Sequence, residues 1–144
     1  MTAPLEQPGG ARAGGFIDVL GLEFLEASAD RCVISWEVRP DLLQPYGIVH
    51  GGVHCAVVET AASVAAGLWL GAAGTVVGVA NHTNFLRAVR AGTLTAVATP
   101  IHRGRSQQLW LVEITEDAGG RAVARGEVRL TNLRTEDNND AVVG

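Results

Sequence analysis

Hydrophobic and polar positions change rhythm twice along this chain. From residue 53 to residue 70 alanine, valine and leucine dominate in a run too long for one strand, which predicts a buried helix over 52–70. Its small residues, Ala56, Ala61, Ala62, Ala65, Ala66 and Gly67, predict a thin helix on which a sheet can lie closely. Apolar nearly all round, it is expected to be buried on every side. Four strand candidates follow, over 75–87, 94–102, 107–116 and 121–132. The last alternates, which puts Ala122, Ala124, Gly126, Val128 and Leu130 inward and Val123, Arg125, Glu127 and Arg129 outward. Glycine-bearing triplets before Thr93, Ser106 and Arg121 predict reversals between consecutive antiparallel strands. Ahead of the long helix, 16–20 predicts a short helix, and 21–27 and 31–38 predict a hairpin with Ile34, Trp36 and Val38 on one face. Residues 41–49, with Pro45, Tyr46 and Gly47, have no periodicity and form the loop into the helix. The order predicts an α+β fold, one long helix with an antiparallel β-sheet, and no internal repeat.

Composition narrows the class. The 144 residues suit one domain, expected over 14–134, with mobile ends at 1–13 and 135–144. An apolar share of 47%, a charged share of 18% and a net charge of −4 describe a globular chain with no electrostatic footprint for nucleic acid. The N-terminus lacks an apolar core and carries Glu6, so it does not read as a secretory signal and a cytoplasmic location is expected. His54, Glu59, Thr60 and Ser63 interrupt the apolar run and favour a buried helix over a membrane span. Cys32 and Cys55 lack any paired spacing, and His54, His82 and His102 lack ligand spacing, so neither a disulfide nor a metal site is expected. All eleven basic side chains are arginine, which removes Schiff-base chemistry and a phosphate-loop lysine.

Glu59 is the only charge between Gly51 and Gly71. An unpaired buried carboxylate costs several kcal/mol, roughly, so a chain that keeps one there has a use for it. Upstream, Gln44, Gly47, His50, Gly51 and Gly52 form a polar cluster at the mouth of the helix.

These residues resemble the hotdog-fold thioesterases, specifically the phenylacetate-degradation type and its 4-hydroxybenzoyl-CoA thioesterase relatives. The matching text is QPYGIVHGG from Gln44 to Gly52, Glu59 nine residues after His50, NHTNFLRAVRAG, and the closing strands. The resemblance implies an antiparallel sheet wrapped around a central helix, a homodimer with a shared active site, a dimer of dimers beyond that, and hydrolysis of an acyl-CoA thioester without a cofactor. It implies Glu59 as nucleophile or general base, the Gly51 amide as carbonyl polariser and Gln44 as orienter of water or acyl group. His50, Gly52, Ser63 and Asn84 fall at substrate-binding positions. The chain departs from the pattern at Ala88, where proline usually follows NFLR.

The residues themselves allow this chemistry. A thioester carbonyl under attack gathers negative charge, and the orphan N–H groups at a helix N-terminus point at such charge. Glycines there let the substrate approach, although a plain turn also uses them. His50 either bonds the substrate or locks the loop. Ser63, one turn beyond Glu59, either donates to the carboxylate or back-bonds to the helix. A Cys55 nucleophile is disfavoured because a neighbouring carboxylate suppresses the thiolate. CoA phosphates need cations, and Arg87, Arg90, Arg103 and Arg105 bracket two turns expected to be neighbours. Trp36, Trp69, Phe85 and Trp110 either shape an aromatic pocket or are plain core. Two rival functions use the same fold: an acyl-thioester hydratase or dehydratase pairing His50 with Glu59, and a non-catalytic acyl-CoA binding domain.

Overall fold

The computed structural model describes residues 15–136; the expected N-terminal segment 1–13 and the tail from 137 lie outside the described residues. The elements run α1 (Phe16–Leu20), β1 (Glu23–Ala27), β2 (Cys32–Glu37), α2 (Gly51–Leu70), β3 (Gly74–Phe85), β4 (Thr93–Arg103), β5 (Gln107–Glu116) and β6 (Ala122–Arg134). One six-stranded sheet, in the order β1-β2-β4-β5-β6-β3 and antiparallel throughout, packs on α2. This is the hotdog architecture.

Small side chains set the distance between the layers. Ala61, Ala62, Ala65 and Ala66 of α2 are fully buried, and Ala96 and Ala98 of β4 are too, so backbone approaches backbone and the large residues fill the flanks. Alternation holds through most of β4 and β5 and in β2 from Ile34 onward, and Ile34, Trp36, Leu94, Trp110, Val112 and Ile114 form the core with Val57 and Val58 of the helix. Toward the C-terminal end of α2 the core is polar and satisfied. Gln108 Nε2 donates to Asn132 Oδ1 at 2.8 Å, Trp110 Nε1 donates to Gln108 Oε1 at 2.8 Å, and Asn132 Nδ2 donates to the Gly104 and Arg105 carbonyls.

Three expectations change. The helix is not buried all round: Cys55, Ala56, Glu59, Thr60, Ser63, Val64 and Gly67 lie along a half-open face. In β6 the alternation slips by one residue at a bulge, so Val123 is buried and Ala122 exposed, because Ile114 pairs with Ala124 while Thr115 pairs with Ala122. The triplet before Thr93 does not close a hairpin. β4 already has β2 and β5 as neighbours, so β3 takes the free edge of β6, and residues 86–92 cross the helix entrance, where Val49 N donates to Val89 O at 2.8 Å. Just past the expected domain end at 134, Thr135 Oγ1 donates to Ala73 O at 3.2 Å.

Candidate active site

The mouth of α2 is built by a tight turn and a histidine cap. Gln44 N donates to Ile48 O at 2.8 Å and Gly47 N to Gln44 O at 2.9 Å, folding residues 44–48 back on themselves. Arg90 Nη1 then donates to Tyr46 O at 2.9 Å and Gly47 O at 3.3 Å, fastening this turn to the crossing segment. His50 is the N-cap, and its Nδ1 accepts from Gly52 N at 2.8 Å. The imidazole thus locks the helix start through Nδ1. It also occupies the Gly52 amide. Gly51 N–H has no acceptor among the described residues, which leaves it as the free donor of this turn. A Cβ on Gly51 would stand 2.7 Å from two ring carbons of Phe85, so a side chain here would have to push that exposed ring aside.

Beside Gly51 lies a cavity of about 360 Å³ whose walls include Gln44, Ile48, His54, Phe85 and Arg87. The Gln44 side chain turns part of its capacity inward, because its Oε1 accepts from Tyr46 N. Gly52 faces the opposite groove, with Phe16, Val19 and Leu42.

Glu59 sits two turns into α2, half-buried against β3. Its Oε2 accepts from Asn81 Nδ2 at 3.1 Å, and the same amide donates to Cys55 O at 3.0 Å. Its Oε1 lies against Gly78, where any Cβ would collide with it. The carboxylate is therefore paired to an amide and partly open, not entombed as the apolar run suggested. Ser63 lines the groove one turn further along, with Val64, Gly67 and Val76, and makes no hydrogen bond among the described residues, neither to Glu59 nor back to the helix. Asn84, singled out from the sequence, stands exposed opposite Arg125, and Asn81 three residues earlier meets the carboxylate instead.

The arginines divide. Arg87 lines the cavity and Arg90 holds its rim, both at the helix entrance. Arg103 lies over Trp69 and Trp110, 5.6 and 5.9 Å from their ring centres, and pairs with Asp30 at 2.7 Å. It belongs with Arg105 at the other end of α2, where the β4–β5 turn bonds to Asn132. The expected neighbouring turns are thus separated by the length of the sheet, and the four arginines form no single rim within one chain. The aromatic residues divide likewise: Trp36 and Trp110 are core, Trp69 lies under Arg103, and Phe85 alone of the four lines the entrance cavity.

From the sequence His54 is only a polar interruption of the apolar run without ligand spacing, and the structure buries it. It is 3% exposed, with its ring 5.9 Å from that of Phe85 and edge-on to Trp36 at 6.5 Å. His54 Nδ1 and Trp36 Nε1 are buried without a partner among the described residues. Periodicity could have flagged it, since His54 falls one turn after Gly51 on the cavity side, but a lone histidine in an apolar helix carries no motif. Burial pushes the imidazole down to about 4 from its ordinary 6.5. Burial, reinforced by the charge of Glu26, pushes the Cys32 thiol up to about 12 and makes it inert. No cluster of three metal-ligating side chains exists among the described residues.

The His54 shift has a signed consequence. The unfolded chain takes up the proton as pH falls through 6.5, whereas the folded chain resists until about 4, so the contribution is nil above that window and increasingly destabilising through it. The loss is on the order of 3 kcal/mol when complete. Urea unfolding is expected to show His54→Phe gaining stability relative to the native chain as pH falls across that window. An unchanged difference would contradict the buried neutral imidazole.

Comparison with known proteins agrees with this geometry. Residues 46–123 match the family model described as the thioesterase superfamily. The crystal structure of AziG from S. sahachiroi superposes with a TM-score of 0.82 at 57% identity, covering 85% of this chain and 99% of that one. A provisionally named esterase of Mycobacterium tuberculosis is 53% identical over 121 residues, covering 82% of this chain and 86% of that protein. The 1,4-dihydroxy-2-naphthoyl-CoA hydrolase of Listeria monocytogenes is 34% identical over 103 residues, covering 72% of this chain and 84% of that protein. A chain with this sheet, this helix and these identities belongs to the thioesterase superfamily and is a hotdog-fold hydrolase.

Proposed function

We propose that the protein hydrolyses acyl-CoA thioesters as a homodimer, with Glu59 of one protomer acting on a carbonyl polarised by Gly51 of the partner subunit. The observation that carries this reading is the spacing of the two groups. Eight residues of α-helix separate Gly51 from Glu59, a rise of about 12 Å, while reacting atoms must come within about 3–3.5 Å. One chain alone therefore cannot set its own carboxylate on a carbonyl bound to its own Gly51.

The unpaired side of β3 supports a second copy. β3 is the last strand of the sheet, twelve residues long, and it exposes Val77 and Val79 along its course. A long apolar edge invites another strand. Pairing of two β3 edges would set two helices side by side under one sheet, which is the arrangement the spacing asks for. Assembly beyond the dimer, and a cytoplasmic location, belong to the same reading through the family resemblance.

In the proposed reaction Glu59 either adds to the thioester carbonyl or removes a proton from attacking water. In both routes the oxyanion collects its hydrogen bond from Gly51 N–H, and the CoA thiolate departs. The phenylacetate and 4-hydroxybenzoyl branches of the sequence resemblance favour CoA as the thiol, as does the name of the Listeria relative. Arg87, at the cavity edge, is the cation best disposed to meet a CoA phosphate within the same chain. Against the hydratase alternative stands His50, whose Nδ1 is occupied in capping the helix. A binding-only domain leaves the exposed Glu59 oxygen without a use.

Thiol release from acetyl-CoA, hexanoyl-CoA and benzoyl-CoA tests the proposal. Glu59→Gln is expected to lower kcat roughly 10²–10⁴-fold with folding intact. Full activity in that variant, or loss of enoyl-CoA absorbance without thiol release in the native chain, would overturn it. Arg87→Ala is expected to raise KM several-fold, an effect that shrinks as ionic strength rises. A KM unchanged at low salt would remove Arg87 from the phosphate site.

A further inference from the structure

The polar residues of β3 that meet α2 form a relay ending on the Glu59 carboxylate. Thr83 Oγ1 donates to Asn81 Oδ1 at 2.7 Å, and Asn81 Nδ2 donates to both Glu59 Oε2 and Cys55 O. The orientation of the Asn81 amide follows from its partners. A carboxylate oxygen and a peptide carbonyl are both acceptors, so the NH₂ end must face them, and the hydroxyl of Thr83 serves the oxygen end. The carboxylate is thereby split into two unlike oxygens. Oε2 is tied to β3, whereas Oε1 has no hydrogen bond among the described residues, is not sealed from solvent, and rests over Gly78, where β3 carries no side chain. The strand bulges immediately after, between Gly78 and Ala80, which keeps Asn81 and Thr83 directed at the helix beyond the irregularity.

We infer that Asn81 is a positioning residue for the reaction: it fixes Oε2 of Glu59, with Thr83 behind it, and leaves Oε1 as the oxygen that meets the substrate or its attacking water. The inference rests on the proposed role of Glu59 and adds which oxygen works and what holds the other. A hydrogen bond from a neutral amide holds the carboxylate oxygen in place without pairing it to a cation, as a salt bridge would. Tying the amide to the Cys55 carbonyl as well fixes it to the helix, so the carboxylate cannot swing without breaking a second bond.

Other titratable groups near Glu59 do not substitute for this contact. Cys55 lies one turn back on α2. His82 of β3 and Arg125, Glu127 and Arg129 of β6 are exposed on the far side of the sheet, while β4 and β5 present Ala96, Ala98, Val112 and Ile114 to the helix.

The test is a pH–rate profile of thiol release on whichever of the three CoA esters the native chain turns over fastest. Asn81→Asp keeps the shape of the side chain but sets a carboxylate beside Glu59. It is expected to lower kcat roughly 10- to 100-fold with KM little changed, and to move the acid limb of kcat/KM to higher pH. Asn81→Leu, which removes the donor without adding charge, should move the limb in the same direction by a smaller step, and Thr83→Val by less again. If Glu59→Gln is inactive while both Asn81 variants retain the native kcat and acid limb, the positioning role alone is wrong. If kcat falls only as stability falls and the acid limb stays put, Asn81 is merely structural and the inference is likewise overturned. Should Glu59→Gln itself remain active, the failure lies with the acid and takes the positioning role with it.

Discussion

An α-helix does not compress, and that rigidity governs how this protein can work. The free amide at Gly51 and the carboxylate at Glu59 are carried on one helix at a fixed separation, each in the place where its own chemistry is easiest to maintain. The amide sits at the helix start because only there does a backbone N–H lack a partner. The carboxylate sits two turns in because there β3 can offer it an amide and a glycine. Neither can move to the other without losing what makes it useful. In the proposed reaction a second copy of the chain brings one of each together, and the unpaired edge of β3 is the surface on which that proposal pairs the two copies.

The two ends of α2 are treated differently by the rest of the fold. At the C-terminal end the buried polar atoms of Gln108, Asn132 and Trp110 close a satisfied network, and Arg103 covers Trp69 while pairing with Asp30. That end is finished. At the N-terminal end lie the only unpartnered buried side-chain nitrogens among the described residues, on His54, which lines the entrance cavity beside the unused Gly51 donor, and on Trp36, edge-on to His54. Unsatisfied groups cost stability wherever they are, so their concentration at one end marks where the fold has given up stability for a site.

Much of this was legible in the sequence. Glu59 stood out because a charge inside a run of alanine and valine has no bland explanation, and the glycines after His50 stood out because a helix start so bare is unusual. The alternating strands were readable where nothing interrupted the period. What failed to show did so for physical reasons. A bulge costs no residue signature, so the slip at Val123 was invisible, and pairing partners are set by which edges remain free, so β3 was assigned to the wrong neighbour. Asn84 lies in the NFLR run that carries the resemblance, whereas Asn81 is turned to the helix by the bulge at Val79, which has no mark in the sequence. The arginines were grouped because their turns are close in sequence, although an eleven-residue strand, β4, carries them to opposite ends of the sheet.

Mixing two inactive variants tests the composite site most directly. Glu59→Ala protomers, which keep Gly51, are unfolded and refolded together with Gly51→Val protomers, which keep Glu59, and thiol release is measured before and after exchange. A shared site restores activity to about a quarter of the native level, because half the dimers are mixed and one of their two sites is whole. Activity that stays at the level of the separate variants, with mixed dimers demonstrably formed, would contradict the account.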